Sequence, residues 1–265
     1  MKHKIITFGE LMLRLSPDNN ERFTQAHSYE AVYGGGEANT AVSLANFNVD
    51  TRYVTKLPKH TIGQSAVNSL RQYGVDVSRI VRGGDQIGIY FLEKKTSQRP
   101  TNVIYNRNGS AFALATKEDF DWDSIFDGAT WFHFSGITPA ISDNMAEITI
   151  EACKEAKKRG ITVSCDLNYR SKLWSSEKAN KVMSEVCRYV DICIANEDDA
   201  VGIFGMDASK SDKEKNAYIA EELTKMFPNF KMVASVWRTE TSITTFKLQS
   251  MIYTEGKAYY SRNSL

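Results

Sequence analysis

The feature that narrows this chain most is an alternation of short apolar strands with amphipathic helices, broken once by two strand-like runs with no helix between them. A period of two cannot sit as a helix and a period of 3.6 cannot sit as a strand, so the order of the periods limits the fold class. Residues 4–9 form an apolar run, and residues 11–15 alternate in part. Gly34-Gly35-Gly36 breaks the pattern, and residues 37–46 follow with Ala38, Ala41, Val42 and Ala45 on one helical face. Residues 51–57, rich in β-branched and aromatic side chains, read as one strand. Residues 62–73 read as a helix with Val67, Leu70 and Tyr73 on one stripe and Gly74 behind its end. Strand 131–135 leads to helix 143–159, strand 161–166 to helix 176–189, and strand 191–195 to a short helix over 197–204. Helix 212–227 then leads to strand 231–237, and the charged patch 210–215 reads as a solvated helix start.

Repeated β-then-α predicts a mainly parallel sheet covered on both faces. Residues 87–93 and 102–107, joined through a polar link with Pro100, predict an antiparallel hairpin instead. The expected fold is α/β: one three-layer α/β/α domain over residues 1–265, with a small β-sheet lid built from residues 10–33 and 85–110.

Composition excludes several classes. Thirty-three basic against 32 acidic residues leave a net charge of +1, so no basic field advertises nucleic acid. No apolar run approaches the roughly 18–20 residues that cross a bilayer, and the first nine residues turn polar too soon for a signal peptide. Cys153, Cys165, Cys187 and Cys193 show no CxxC spacing and lie in apolar segments, which reads as reduced core thiols of a cytoplasmic protein. The four histidines lack ligand spacing, and no GxxxxGK[ST], GxGxxG or GxSxG occurs.

Ligands of open parallel sheets bind beyond the carboxyl ends of the strands. Phe8-Gly9-Glu10, Ser135-Gly136, Asp166-Leu167-Asn168-Tyr169-Arg170 and Ala195-Asn196-Glu197 all stand at such ends. The third either sets charge at a ligand site or is an ordinary Asn/Asp turn. Gly34–Gly36 either lets backbone N–H groups approach a ligand or makes a tight turn. Tyr90, Tyr105 and Arg107 sit on the hairpin, with Tyr105 and Arg107 on one strand face. They either close over a polar, anionic small molecule or belong to a surface strand.

Several blocks together resemble a known family. Tyr33-Gly34-Gly35-Gly36-Glu37-Ala38-Asn39-Thr40-Ala41 is similar to the N-terminal signature of the ribokinase-like (PfkB) sugar kinases. Tyr105-Asn106-Arg107-Asn108-Gly109-Ser110-Ala111, Phe132-His133-Phe134-Ser135-Gly136-Ile137-Thr138-Pro139-Ala140 and Asp166 through Trp174 look like the 2-keto-3-deoxygluconate kinase branch. The resemblance runs over residues 5–205. It implies ATP- and Mg²⁺-dependent phosphorylation of a sugar acid, 2-keto-3-deoxygluconate, to its 6-phosphate. Gly35 would then meet sugar hydroxyls, Tyr90, Tyr105 and Arg107 would reach the sugar from the lid, and Arg170 would pair with its carboxylate. Asn168, Tyr169, Arg170 and Asn196 would border ATP, with Glu197 near the metal. Arg107, as a lid residue, is expected to be screened by solvent.

The chain also departs from the family. Trp237-Arg238-Thr239-Glu240-Thr241 stands where Lys-x-Gly is more usual near the nucleotide, which puts Arg238 on the ATP side. The Gly-Ala-Gly-Asp motif that would carry the catalytic base does not occur up to Leu265, so the base is expected beyond it and the chain reads as C-terminally incomplete. A kinase of a neutral sugar such as fructose and a non-catalytic sugar-acid binding protein are the alternatives. The aromatic lid strands suggest a homodimer sealed lid to lid.

Overall fold

The computed structural model describes residues 3–96, 99–207, 215–240 and 246–261. The chain divides into two compact units, one of residues 1–130 with 141–148 and one of residues 131–140 with 149–265.

In the first unit, β1 (Lys4–Phe8) and β2 (Met12–Pro17) are followed by β3 (Tyr29–Gly34), α1 (Gly36–Asn46), β4 (Asp50–Val54) and β5 (Lys56–Leu57). Then come α2 (Thr61–Arg71), β6 (Val81–Arg82), β7 (Ile89–Glu93), β8 (Asn102–Asn106) and a short α3 (Trp122–Ile125). β1 pairs in parallel with β4, while β3, β2, β7 and β8 form a separate four-stranded sheet. β7 and β8 pair antiparallel from Ile89↔Asn106 to Glu93↔Asn102, the hairpin expected from the missing helix. Phe8 ends β1 inside an aromatic nest, its ring edge-on to Phe112, Phe120 and Trp122 at 5.2–5.5 Å. α1 buries only Ala38 and Ala41 of its apolar residues, and such small side chains let its backbone lie close to the strands.

Two expectations are corrected here. Residues 51–57 are two strands, because the chain leaves β4 after Val54 and Lys56–Leu57 pairs instead with β6. Tyr73 is not on the buried stripe of α2. The helix ends at Arg71, Gly74 turns with φ +79°, and Tyr73 is 49% exposed while Val67 and Leu70 are buried.

The second unit runs β9 (Trp131–Ser135), a short α4 (Ile137–Ala140), the part of α5 (Asp143–Lys158) from residue 149 on, β10 (Thr162–Asp166), α6 (Ser176–Cys187), β11 (Ile192–Ile194) and α7 (Glu197–Phe204). It closes with α8 (Lys215–Met226), β12 (Met232–Glu240), β13 (Phe246–Thr254) and β14 (Lys257–Tyr260). β9, β10, β11 and β12 are parallel neighbours, whereas β12–β13 and β13–β14 are antiparallel, so the sheet is mixed. The helix starts are chemically marked: Ser175 caps α6, and Asn196 and Asp199 cap α7 reciprocally. The expected start of the helix at residue 212 and the charged patch up to residue 214 lie outside the described residues. Val236, Leu248, Ile252 and Tyr259 share one face of β12–β14, each more than 40% exposed. All four cysteines are free and buried, and burial pushes their thiols well up, away from the reactive thiolate. Among the described residues no helix is long and apolar enough to cross a membrane.

Asp191 ties this unit together at the start of β11. Its buried carboxylate accepts from Lys157 Nζ at 2.8 Å, Lys231 Nζ at 3.0 Å and the Val163 backbone N–H at 2.9 Å. Burial acts to raise its pKa, but the bonds from Lys157, Val163 and Lys231 prevail and hold it below the ordinary Asp value. Asp191→Ala should therefore cost about 1–3 kcal/mol, since it leaves the Val163 N–H buried without a partner. Because the folded pKa is depressed, this contribution is present above the unfolded pKa and lost as pH falls through the folded one. Urea unfolding of both proteins at neutral and acid pH checks the size and the convergence.

Candidate functional site

The strand end after β1 becomes a buried ionic knot. Glu10 Oε2 accepts from Arg107 Nε at 2.8 Å and also from Nη2, while Oε1 accepts from Ser110 Oγ at 2.5 Å. The ring closes through the backbone, where the Ser110 N–H donates to the Arg107 carbonyl at 2.9 Å. Glycines admit it. A Cβ on Gly35 would overlap the Glu10 carbonyl oxygen, and one on Gly88 would stand 2.5 Å from Glu10 Oε1. Gly35 is extended backbone at φ −175°, so it is close approach rather than a left-handed turn that requires glycine there.

This corrects one expectation about Arg107. It lies one residue past β8, and its side chain is 7% exposed rather than screened by solvent. Among the described residues only Nη1 of its guanidinium has no hydrogen-bond partner.

The sheet register places the phenols. Arg14 pairs with Tyr90, and Tyr90 with Tyr105, so these three side chains share one face of the four-stranded sheet. The Tyr90 and Tyr105 rings lie 5.8 Å apart, and Arg107 Cζ stands 5.9 Å from the Tyr105 ring centre. Tyr90 Oη and Asn39 Oδ1 both reach the Gly34 turn, each within 4 Å of where a Cβ would stand. Gly35, Tyr90, Tyr105 and Arg107 thus gather in one region of the first unit. Burial raises the Tyr90 pKa, and the Arg14 guanidinium beside it works in the opposite direction.

Arg14 was not among the residues expected from sequence, and Glu10 stood there only as a strand-end residue with no role given to it. Arg14 Nε is buried with no hydrogen-bond partner, and Nη2 lies 3.6 Å from Glu30. The signal was there: a lone cation between Leu13 and Leu15 in a strand with an otherwise apolar centre.

The second unit brings three strand ends side by side. Asp166 pairs with Ser135 and with Ile194, and the Gly136 and Leu167 N–H groups donate across to the Asp166 and Ile194 carbonyls. A Cβ on Gly136 would overlap the Leu167 carbonyl, so these loops are in contact. Asn168 adopts φ +38°, a left-handed conformation that Asn tolerates better than most residues. The Tyr169 N–H then donates to Asp199 Oδ1 at 2.7 Å, and the Tyr169 ring lies against Gly202 of α7. Asp199 also accepts from the Asn196 N–H at 3.0 Å, and burial raises its pKa despite these bonds. Asp199 is a hub that sequence reading missed. Its signal was the Asn-x-x-Asp spacing of a capping box.

With the loop so anchored, Arg170 extends exposed, with no side-chain hydrogen bond or ion pair among the described residues. That donor set suits an anion such as a carboxylate or nucleotide phosphate. Asn196 spends its side-chain oxygen on the Asp199 N–H, and Glu197 is ion-paired to Lys215. Arg238 stands exposed on β12 opposite Leu248. No group of three or more His, Cys, Asp or Glu among the described residues is placed to hold a metal. Mg²⁺ keeps several waters and is commonly bound through one or two carboxylates plus substrate phosphates, and Glu197, ion-paired to Lys215, would be a carboxylate for such an ion.

The pfkB family carbohydrate kinase profile matches residues 2–229. The 2-dehydro-3-deoxygalactonokinase of Haloferax volcanii is 37% identical over 209 residues, 78% of this chain and 65% of that protein. The 2-dehydro-3-deoxygluconokinase of Bacillus subtilis is 29% identical over 67% of this chain and 55% of its own length. The chain thus spans less than two thirds of the length of these relatives. Among solved structures, the 2-dehydro-3-deoxygluconokinase of Thermotoga maritima superposes with a TM-score of 0.95 at 46% identity, covering 100% of this chain and 80% of that one. A PfkB family carbohydrate kinase from Listeria grayi gives a TM-score of 0.91 at 33% identity, over 98% and 80%.

Arg107→Ala should leave Glu10 buried and unpaired and cost about 3–5 kcal/mol. Gly35→Ala should cost about 1–3 kcal/mol by overpacking against the Glu10 carbonyl. Denaturant midpoints of the ligand-free proteins check both, and an Arg107→Ala protein as stable as the wild type would contradict the buried pair.

Proposed function

The chain belongs to the pfkB family of carbohydrate kinases, and on that footing we propose that it binds a sugar acid of the 2-keto-3-deoxygluconate class and presents a hydroxyl for phosphorylation to the 6-phosphate. The observation that carries the reading is Arg170, an exposed guanidinium with no side-chain hydrogen bond or ion pair among the described residues, on a loop anchored by Asp199. Two tyrosines and Arg107 around the Gly34–Gly35 turn supply donors of the kind a polyhydroxy acid requires. The names of the relatives at 37% and 46% identity point to the same substrate class, one of galactonate and one of gluconate type.

In this reading Gly35 lets the backbone approach the sugar hydroxyls, while Tyr90 and Tyr105 orient the ring and exclude water from it. Arg170 pairs with the carboxylate and borders the nucleotide together with Asn168 and Tyr169, and Asn196 holds the start of α7 next to them. When bound, ATP with Mg²⁺ supplies the phosphoryl group, and Glu197 and Arg238 are the residues proposed on that side. Such transfer needs mainly positioning and charge neutralisation. The base that takes the hydroxyl proton belongs to the family's Gly-Ala-Gly-Asp motif, which residues 1–265 do not contain. We also propose a cytoplasmic location and a homodimer formed through the four-stranded sheet, where Ile104 and Tyr105 are about half exposed. A monomeric mass in sedimentation at micromolar protein would overturn the dimer.

Arg170→Ala should weaken sugar-acid binding by about 1.5–3 kcal/mol, roughly 10- to 150-fold, and leave a neutral ketose unaffected. Calorimetric titration with 2-keto-3-deoxygluconate and fructose measures both, and an ATP-consumption screen of acid against neutral sugars on the full-length protein tests turnover, which residues 1–265 alone should lack. Equal loss for both ligands would make the arginine structural. Preference of the wild type for fructose would favour the neutral-sugar kinase, and acid binding with no turnover by the full-length protein would favour the binding protein.

A further inference from the structure

Resting on that reading, we propose that Glu10 is the positioning residue of the sugar-acid site, its carboxylate locking the Arg107 guanidinium so that Nη1 alone is left to meet the ligand's anionic group. The geometry leaves Glu10 little other role. One oxygen takes both Nε and Nη2 of Arg107, and the other takes Ser110 Oγ. That hydroxyl in turn accepts from the Ala113 N–H at 3.1 Å, so it is fixed as well. Gly88 brings backbone directly against the Glu10 carboxylate, and Gly35 brings backbone against the Glu10 carbonyl, so the residue is packed at both its side chain and its main chain. The guanidinium is therefore ordered before ligand arrives, and the entropy of ordering it is met in folding rather than in binding. Stability alone does not account for the arrangement, because a buried ion pair seldom outperforms apolar packing of similar volume.

The knot also makes binding sensitive to acid. Arg107 and Ser110 face Glu10 from the segment after β8. Tyr53 faces it from β4, where its hydroxyl donates to the Gly9 carbonyl at 2.8 Å, and the Glu37 carboxylate lies against Gly9 from α1. Burial outweighs the Arg107 charge and the Ser110 bond and holds the Glu10 carboxyl above the usual carboxylate range. As pH falls through that raised value Glu10 takes a proton, Arg107 is released, and affinity for the acid sugar drops. Stability moves the other way. A carboxyl whose folded pKa is raised contributes stability that is fully present below its unfolded pKa and lost as pH rises through the folded one. An acid limb in affinity that comes from Glu10 is therefore not accompanied by a loss of stability from the same group.

The test is calorimetric titration of the whole chain with 2-keto-3-deoxygluconate and with fructose, without nucleotide, between pH 5 and pH 8. Wild type, Glu10→Gln and Ser110→Ala are compared, and exchange of the Arg107 Nε–H with water is followed by nitrogen-15 NMR in the ligand-free proteins. Expected are acid-weakened sugar-acid binding in the wild type and about tenfold weaker, pH-independent binding in Glu10→Gln, the order seen when a group that orients a binding residue is lost. Fructose affinity should fall less than sugar-acid affinity. The Nε–H should be protected in the wild type and exchange fast in Glu10→Gln. Glu10→Gln binding as tightly as wild type with the same pH profile would overturn the proposal, and so would a protected Nε–H in that variant. If Glu10→Gln does not fold, a wild type without an acid limb and a Ser110→Ala protein of unchanged affinity overturn it. If the wild type binds neither sugar, the substrate reading fails, and the Nε–H exchange still decides the role of Glu10.

Discussion

The first unit is organised around one buried ion pair. Glu10 and Arg107 stand 97 residues apart in sequence, yet their bond is the point where the end of β1, the glycine turn before α1 and the segment after β8 meet. Burying two charges is costly unless the remaining donors and acceptors are met, and here the Ser110 hydroxyl meets the second Glu10 oxygen. The consequences spread outward. Gly35 and Gly88 have no side chain because Glu10 occupies that space, and Arg107 is held next to the Tyr105 ring because Glu10 holds its other edge.

The second unit solves its packing by the same means with different groups. Its organising carboxylates are Asp191 at one end of the parallel strands and Asp199 beyond the other. Asp191 is neutralised by two lysines and one backbone N–H, whereas Asp199 is satisfied by backbone N–H groups alone and keeps a raised pKa. The difference is one of purpose. Asp191 joins β10, β11 and the segment before β12, and Asp199 fixes the bend from which Arg170 projects. Gly136 and Gly202 then let neighbouring loops and a tyrosine ring lie directly on backbone. In both units the residues offered to a ligand stand on supports that are themselves buried and hydrogen-bonded, which is what holds a binding geometry to tight tolerance.

Much of this was legible in the chain. Strand and helix periods carried the α/β class, the hairpin without a helix and most of the longer elements between β1 and β12 to within a few residues, because those periods are local properties of apolar spacing, whereas β3, β6, α3, α4, β13 and β14 were not read. Asn196 and Ser175 marked helix starts by their own chemistry. The glycine turn, the two tyrosines and the Asn168–Arg170 loop stood out because polar or flexible residues at strand ends are seldom needed for packing alone. Arg14 could have been found by the same logic, as a cation inside an apolar strand.

What the sequence alone determined is therefore the set of elements and the residue types available at their ends. Only the tertiary structure decided how those residues are used. A guanidinium looks the same in sequence whether it meets a carboxylate from the segment after β1 or stands exposed, so Arg107 read as exposed although it is locked to Glu10, while Arg170 has no side-chain hydrogen bond or ion pair among the described residues. Nor could the sequence show that Gly35 yields its Cβ to a carbonyl rather than to a left-handed turn. Periodicity is set by neighbours in the chain, but burial, charge pairing and close approach are set by neighbours in space. Those are fixed only when segments a hundred residues apart are brought together.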